Sequence, residues 1–156
     1  MRIYFAHPYE LRDELKPLIE KIGALGITVV DPFYFTAYSR ELTERTERML
    51  KEGKKTPDEE WDRLAAKVIA KDRRFIASSD ALVAVFDGKV KLSVGTPMEV
   101  ILAHDKYEIP VLVLLRNVNA MPRLRYHYWI RRHSDRIFES EDELLAELER
   151  MAGEER

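Results

Sequence analysis

Two short apolar runs, Ala81-Leu82-Val83-Ala84-Val85-Phe86 and Val111-Leu112-Val113-Leu114-Leu115, constrain the fold more than any other feature. Neither contains a charge, and each reads as a strand buried on both faces. Between them lie Asp87-Gly88, a turn over 89–92 and the stretch Ser93-Val94-Gly95-Thr96-Pro97-Met98-Glu99-Val100-Ile101-Leu102-Ala103. That stretch reads as a polar turn with a helix running from Pro97 to about Tyr107. A strand, a helix and a second strand at this spacing fit a parallel crossover. In an open α/β sheet the turn then lies at the carboxyl end of a strand, where ligands bind. Glu99 is the only ionisable side chain within it.

The same alternation runs through the chain. Arg2 to Ala6 is a first strand, ended by His7-Pro8. Leu11, Leu15, Leu18, Ile19, Ile22 and Leu25 follow at helical spacing. Pro17 kinks that helix or delays its start, and Gly26 is its stop. Ile27 to Val30 is a second strand, ended by Asp31-Pro32. Thr56-Pro57-Asp58-Glu59 opens the next helix, with Thr56 as cap, Pro57 in the first turn and Glu59 completing a capping box. Its apolar stripe is Trp61, Leu64, Ala65, Val68, Ile69, Phe75 and Ile76. Asp72 falls on that stripe, where a carboxylate is costly unless it is paired or lines a cavity. Glu108-Ile109-Pro110 turns into the fourth strand, and Ile137-Phe138 reads as a short fifth strand at an edge. Ser140-Glu141-Asp142-Glu143 is a second capping box, starting a closing helix through Leu144, Leu145 and Leu148, with 153–156 fraying. The β-α-β-α-β-α-β order predicts a parallel sheet with helices on both faces, in one domain over residues 1–156.

Composition excludes several classes. The 26 basic and 28 acidic side chains leave a formal charge of −2, which argues against binding polymeric nucleic acid. There are no cysteines, and His7, His104, His127 and His133 show no zinc-like spacing, so no metal site is expected. No apolar run approaches the ~18 residues of a membrane span. The chain enters a strand at once, without a signal-peptide pattern, so a cytoplasmic protein is expected. Charged residues make up 35%, glutamine is absent and asparagine occurs only at 117 and 119, a profile that leans toward a thermophile.

Two segments stay open at this level. Phe33-Tyr34-Phe35 and Tyr38 cluster past a strand end, ahead of a charged surface helix over 40–55. They are either packed aromatics in a solvated connection or a lid offering rings to a ligand. Residues 116–136 hold six arginines, with Tyr126, Tyr128 and Trp129 among them. Such a stretch suits a phosphate or nucleic acid, a charged loop or a subunit contact.

Glu99 also has two readings. Thr96-Pro97-Met98-Glu99 repeats the form of Thr56-Pro57-Asp58-Glu59, so a capping box alone would explain it. Against this, its helix is apolar around it, Gly95 permits close approach of a ligand to the backbone, and the turn sits between core strands. Free amides there, with the Ser93 and Thr96 hydroxyls, could hold an anion. No G-x-G-x-x-G, G-x-x-x-x-G-K-[ST] or G-x-S-x-G pattern occurs, which argues against dinucleotide, P-loop and serine-hydrolase chemistry.

Taken together, Ile3-Tyr4-Phe5-Ala6-His7-Pro8, Asp72 eight residues before Asp80, the strand to Asp87-Gly88, and Ser93 to Glu99 resemble the nucleoside 2-deoxyribosyltransferase family. That family includes nucleotide N-glycosidases. The resemblance covers roughly residues 1–8 and 68–115. It implies a flavodoxin-like (Rossmann-like) doubly wound parallel sheet of about five strands, with an active site at its carboxyl edge. Glu99 would attack the anomeric carbon and form a glycosyl-enzyme ester. Asp72 would contact the sugar or assist the leaving base, and Tyr4 would orient the nucleophile. His7, Asp87, Ser93, Gly95 and Thr96 would bind substrate. No metal or organic cofactor is implied. The implied partners are a small nucleoside or nucleotide and further copies of the chain, as a dimer or higher homo-oligomer.

Some positions depart from the family pattern. Serine stands at 93, where the transferases usually carry an acid, and this resembles the nucleotide-hydrolase branch, whose equivalent residue binds the 5′-phosphate. The basic stretch after Arg116 suits an anionic substrate too, in that branch supplied across a dimer interface. His7 stands where Gly is common, and Val100-Ile101 where an apolar residue and Gly are common. The reading is cleavage of the N-glycosidic bond of a (deoxy)nucleoside 5′-monophosphate. The alternatives are base exchange between deoxynucleosides and a nucleotide-binding module without turnover.

Overall fold

The computed structural model describes residues 1–34 and 37–154. Five parallel strands, β1 (Arg2–Ala6), β2 (Thr28–Val30), β3 (Ala81–Asp87), β4 (Val111–Arg116) and β5 (Arg136–Phe138), form one sheet in the order β2-β1-β3-β4-β5. This is the flavodoxin-like doubly wound arrangement, with the strand order reversing beside β1 and β3. The helices are α1 (Lys16–Ala24), α2 (Ala37–Lys51), α3 (Glu59–Ala77), α4 (Gly95–Ile101), α5 (Tyr128–Arg132) and α6 (Glu141–Glu154). Pro17 occupies the first turn of α1, so the helix begins later than its apolar spacing suggests. Gly26, at φ 80°, follows that helix. α4 continues as one π-helical turn over Leu102–Lys106.

Alternation along the strands builds two cores. Ile3 and Phe5 of β1, with Val83, Val85 and Leu112, pack against Leu18 and Ile22 of α1 and Leu144 and Leu148 of α6. Tyr4 and Ala6 face the other way, with Leu82, Ala84 and Phe86, against Ile76 of α3, Val100 of α4 and Ile130 of α5. Every residue of β3 is buried, as expected of a central parallel strand. Full burial of a Leu or Ile side chain contributes about 1.5–3 kcal/mol, so these layers provide most of the fold's stabilisation. The period-2 alternation also aims Tyr4 at the layer that holds α3 and α4.

The helix starts differ from the sequence reading. Asp58, not Thr56, caps α3, accepting the Trp61 amide at 2.9 Å while pairing with Arg45 of α2. Asp accepts the amide of the third helical residue as readily as Thr, and Arg45 favours its charge. α4 begins at Gly95 rather than Pro97, so Thr96 lies buried in the first turn; Val94 stands at the cap position, and the Ser93 hydroxyl accepts the Thr96 amide at 3.4 Å.

Gly88, just past β3, packs beneath the backbone of the turn after β4. A Cβ at this position would collide with the Asn117 carbonyl oxygen and crowd the Met121 amide. Gly23, near the end of α1, has open space around its Cα. Gly88→Ala should therefore cost about 1–3 kcal/mol by overpacking. Gly23→Ala should stabilise by about 0.4–1 kcal/mol. Urea titration of the two variants checks the opposite signs.

Candidate active site

The carboxyl ends of β1 and β2 and the turn before α4 surround a cavity of about 320 Å³. That is near the lower end of the ~300–1,000 Å³ typical of small-molecule sites. Pro8, Tyr9, Pro32 and Phe33 form its apolar wall. Ser39, Leu42 and Thr43 of α2, Val68 and Asp72 of α3, and Ser93, Gly95, Thr96 and Glu99 complete it.

Three of the anticipated residues meet here from three elements. The Tyr4 hydroxyl, projecting from β1, donates to Glu99 Oε1 of α4 at 2.7 Å. This bond removes the basis for the capping-box reading of Glu99, whose carboxylate turns into the sheet layer. Asp72 of α3 lies beside both, close enough to act electrostatically on each. Its side chain retains 18% exposure, and its Oδ1 is sealed from solvent. The stripe position that makes Asp72 awkward in sequence is thus the one that brings it to the cavity.

The electrostatics follow from lost hydration. Burial, and then the charge of Asp72, push Glu99 up to about 8, against the opposing Tyr4 hydrogen bond and the Lys71 cation. Burial also raises Asp72, again opposed by Lys71. Burial and the two carboxylates drive the Tyr4 hydroxyl far above its usual range, so it stays a donor. Two desolvated carboxylates this close disfavour double ionisation and titrate as a pair.

The other anticipated residues divide. Ser93, Gly95 and Thr96 line the cavity, the Ser93 and Thr96 hydroxyls 3.1 Å apart. His7 lines it too, but its side chain has no exposure. Its Nδ1 faces the Pro8 carbonyl at 2.8 Å and its Nε2 faces Asp31 Oδ2 at 3.0 Å, so neither nitrogen is free to meet a ligand. Asp87 is not brought to the cavity. Its carboxylate accepts the Lys89 amide and the Asn117 side-chain amide, closing the turns after β3 and β4. Of the aromatic lid, Phe33 reaches the cavity, while Tyr34 and Tyr38 are exposed and Phe35 lies outside the described residues. The charged segment beyond is helix α2, and its uncharged positions wall the cavity. Among the described residues the basic stretch 116–136 contributes nothing to this wall. Arg125, for example, forms a two-pronged pair with Glu139.

Lys71 is absent from the sequence reading. It is buried, 3.1 Å from Asp72 Oδ1. Its position, seven after Leu64 and three after Val68, puts it on the same stripe that singles out Asp72, so the same test would have found it. Among the described residues no group of acids and histidines is arranged to hold a metal ion, and no helix is long and apolar enough to cross a membrane.

The fold and site define an α/β domain with a half-buried carboxylate pair at the switch point of its sheet. No protein-family model matches the sequence, and no curated protein sequence matches it. Solved structures do. The chain resembles the 2-deoxyribosyltransferase of the psychrotolerant bacterium Bacillus psychrosaccharolyticus, with a TM-score of 0.62, 19% identity, and coverage of 95% of this chain and 96% of that one. It also aligns with the CMP N-glycosidase BcmB of Clostridium botulinum, with a TM-score of 0.49, 18% identity, and coverage of 95% and 97%. At such identities the likeness is one of fold.

The raised Glu99 has a consequence for stability. Its folded midpoint of about 8 lies above its ordinary 4.5. Between those values the folded state holds a proton that the unfolded chain has lost, so stability falls as pH rises through that window. Glu99→Gln should therefore raise Tm by several degrees at pH 9, with the gap closing toward pH 4. Paired thermal melts across this range test it.

Proposed function

We propose that the protein cleaves the N-glycosidic bond of a (deoxy)nucleoside 5′-monophosphate, with Glu99 as nucleophile and Asp72 as acid. The observation that carries this reading is the Tyr4–Glu99–Asp72 cluster, buried on its protein side and open to the cavity on the other. A carboxylate that served only the fold would not be kept beside a second one with so little hydration.

The chemistry follows from one proton shared by two carboxylates. The Tyr4 hydrogen bond fixes Glu99 Oε1 and leaves the second oxygen for attack. In the reacting state Glu99 is ionised and Asp72 holds the proton. As the bond between the anomeric carbon and the base nitrogen breaks, Glu99 forms an ester with the sugar. The departing base takes the proton of Asp72. Water then attacks the same carbon, giving its proton to the Asp72 carboxylate, and Glu99 leaves as a carboxylate. The Ser93 and Thr96 hydroxyls, together at the cavity wall, are the polar groups suited to the 5′ end of the substrate.

One observation favours a second reading, base exchange between deoxynucleosides. Among the described residues no lysine or arginine side chain lines the cavity, while Glu10, Asp72 and Glu99 do. An uncharged nucleoside is repelled less by that wall than a monophosphate. The Bacillus psychrosaccharolyticus protein that shares the fold is itself a 2-deoxyribosyltransferase.

Chromatographic assay of free base, across nucleoside monophosphates and across pairs of deoxynucleosides with bases, separates the readings. Release from one or more monophosphates, abolished by Glu99→Ala, is the expected result. Base exchange without release would move the conclusion to the transferase. Tight nucleotide binding without any product would leave a binding module.

A pH profile gives an independent check. The reacting state keeps one proton in the pair, so kcat/KM should fall as that proton is lost, with a midpoint well above the ordinary carboxylate range, near 8. Asp72→Asn should lower the Glu99 midpoint by removing a like charge, at a cost in kcat from losing the acid. Tyr4→Phe should raise it by removing the bond that favours the Glu99 anion.

A further inference from the structure

We propose that Lys71 is a positioning residue that couples the helix over the cavity to the ionisation of the Asp72–Glu99 pair. The inference rests on the reading of these carboxylates as the reacting groups. Lys71 is 3% exposed. Its ammonium donates to the Pro32 carbonyl at 3.0 Å and to Ser39 Oγ at 2.5 Å, and lies 3.1 Å from Asp72 Oδ1. Two of the three ammonium hydrogens go to these neutral acceptors, and the contact with Asp72 is an ion pair.

Two features give the arrangement a functional sense. Pro32 and Ser39 stand on either side of the connection from β2 to α2, so one cation clasps both ends of that connection. α2 supplies Ser39, Leu42 and Thr43 to the cavity wall, so its seating sets the shape of the space above the acids. The third contact is electrostatic. Asp72 Oδ1 is sealed from solvent and accepts no hydrogen bond, and its partner is the Lys71 cation. The other titratable groups facing the pair are Tyr4 from β1 and Asp31 from the end of β2. The Asp31 carboxylate is taken up by His7 and the Phe33 amide. Tyr4 is a neutral donor and Asp31 an acid, which leaves Lys71, among the described residues, as the cation in contact with the pair. Burial opposes the charge on both acids, and Lys71 opposes burial. The residue that seats the cavity helix is thus the one that keeps a carboxylate available in the pair.

Lys71→Met removes both clasp and charge. Lys71→Gln removes the charge but keeps an amide able to donate to Pro32 and Ser39. Carboxyl carbon NMR titration of the purified protein, without substrate, follows Asp72 and Glu99 directly. In both variants the midpoints should rise by about one pH unit, a tenfold loss of the ionised fraction on the acid side. The falling limb of kcat/KM should move upward with them by about the same amount. Ser39→Ala keeps the cation, and should raise KM while leaving the carboxyl midpoints unchanged. Unmoved midpoints in a folded Lys71→Gln, with only a lower Tm, would overturn the proposal and leave Lys71 a structural clasp. The titration needs no turnover, so shifted midpoints in a protein that cleaves no nucleoside or nucleotide would count against the proposed function while upholding the coupling.

Discussion

The hydrogen bond from Tyr4 to Glu99 joins the third residue of the first strand to a helix residue 95 positions later in the chain. Much of the architecture is needed to make it. β1 must lie inside the sheet, between β2 and β3, so that its side chains enter both cores. Tyr4 must fall on the even face of the strand, the one covered by α3 and α4. α4 must begin as soon as the turn after β3 permits, so that Glu99 points inward in its second turn. With those conditions met, a carboxylate is held out of bulk water against a neutral donor, and the cavity is the one direction left open to it.

This placement is unfavourable for the free protein, and the rest of the fold offsets it. Desolvation and a neighbouring acid work against the Glu99 anion, whereas the two apolar layers on either side of the sheet tolerate a local loss. Such a conflict between local chemistry and global stability is usual where a site serves a ligand. The fold limits it with one neutral donor and one buried cation, which reach the pair from different elements. Neither neutralises the site fully. The balance leaves two acids in competition for a proton, with both carboxyls raised by burial.

The parts legible in sequence are those that depend on local pattern. The apolar runs of β3 and β4 give the core of the sheet because burial on both faces leaves no room for polar positions. Asp72 was legible as a misfit on an apolar stripe, and Lys71, on the same stripe, was not read although the same spacing exposes it. What escaped depends on contacts distant in the chain. Asp87 has the look of a site acid at a strand end, but its partner Asn117 lies 30 residues on, and together they close two turns. His7 stands at the cavity, yet Asp31 and Pro8 occupy its ring. Neither partner follows from spacing. Helix starts failed for another reason. Several residues near each start could serve as cap, and the choice between Thr56 and Asp58 rests on Arg45 in a different helix.

The two Thr-Pro-x-Glu segments make the same point most sharply. They are alike in cap-forming chemistry, and on that ground alone Glu59 and Glu99 should play the same part. At the first, the chain arrives from an exposed turn, Asp58 supplies the cap, and Glu59 lies exposed in the first turn of a long helix. At the second, the chain emerges from a strand buried along its whole length, and the helix starts one residue before its threonine. That advance places Thr96 in the first turn and Glu99 where Tyr4 can reach it. An identical local signal therefore yields a solvated acid in one setting and a half-buried, paired acid in the other. The difference lies in what the preceding strand does with the chain, and in a tyrosine at position 4 that no local window around residue 99 contains.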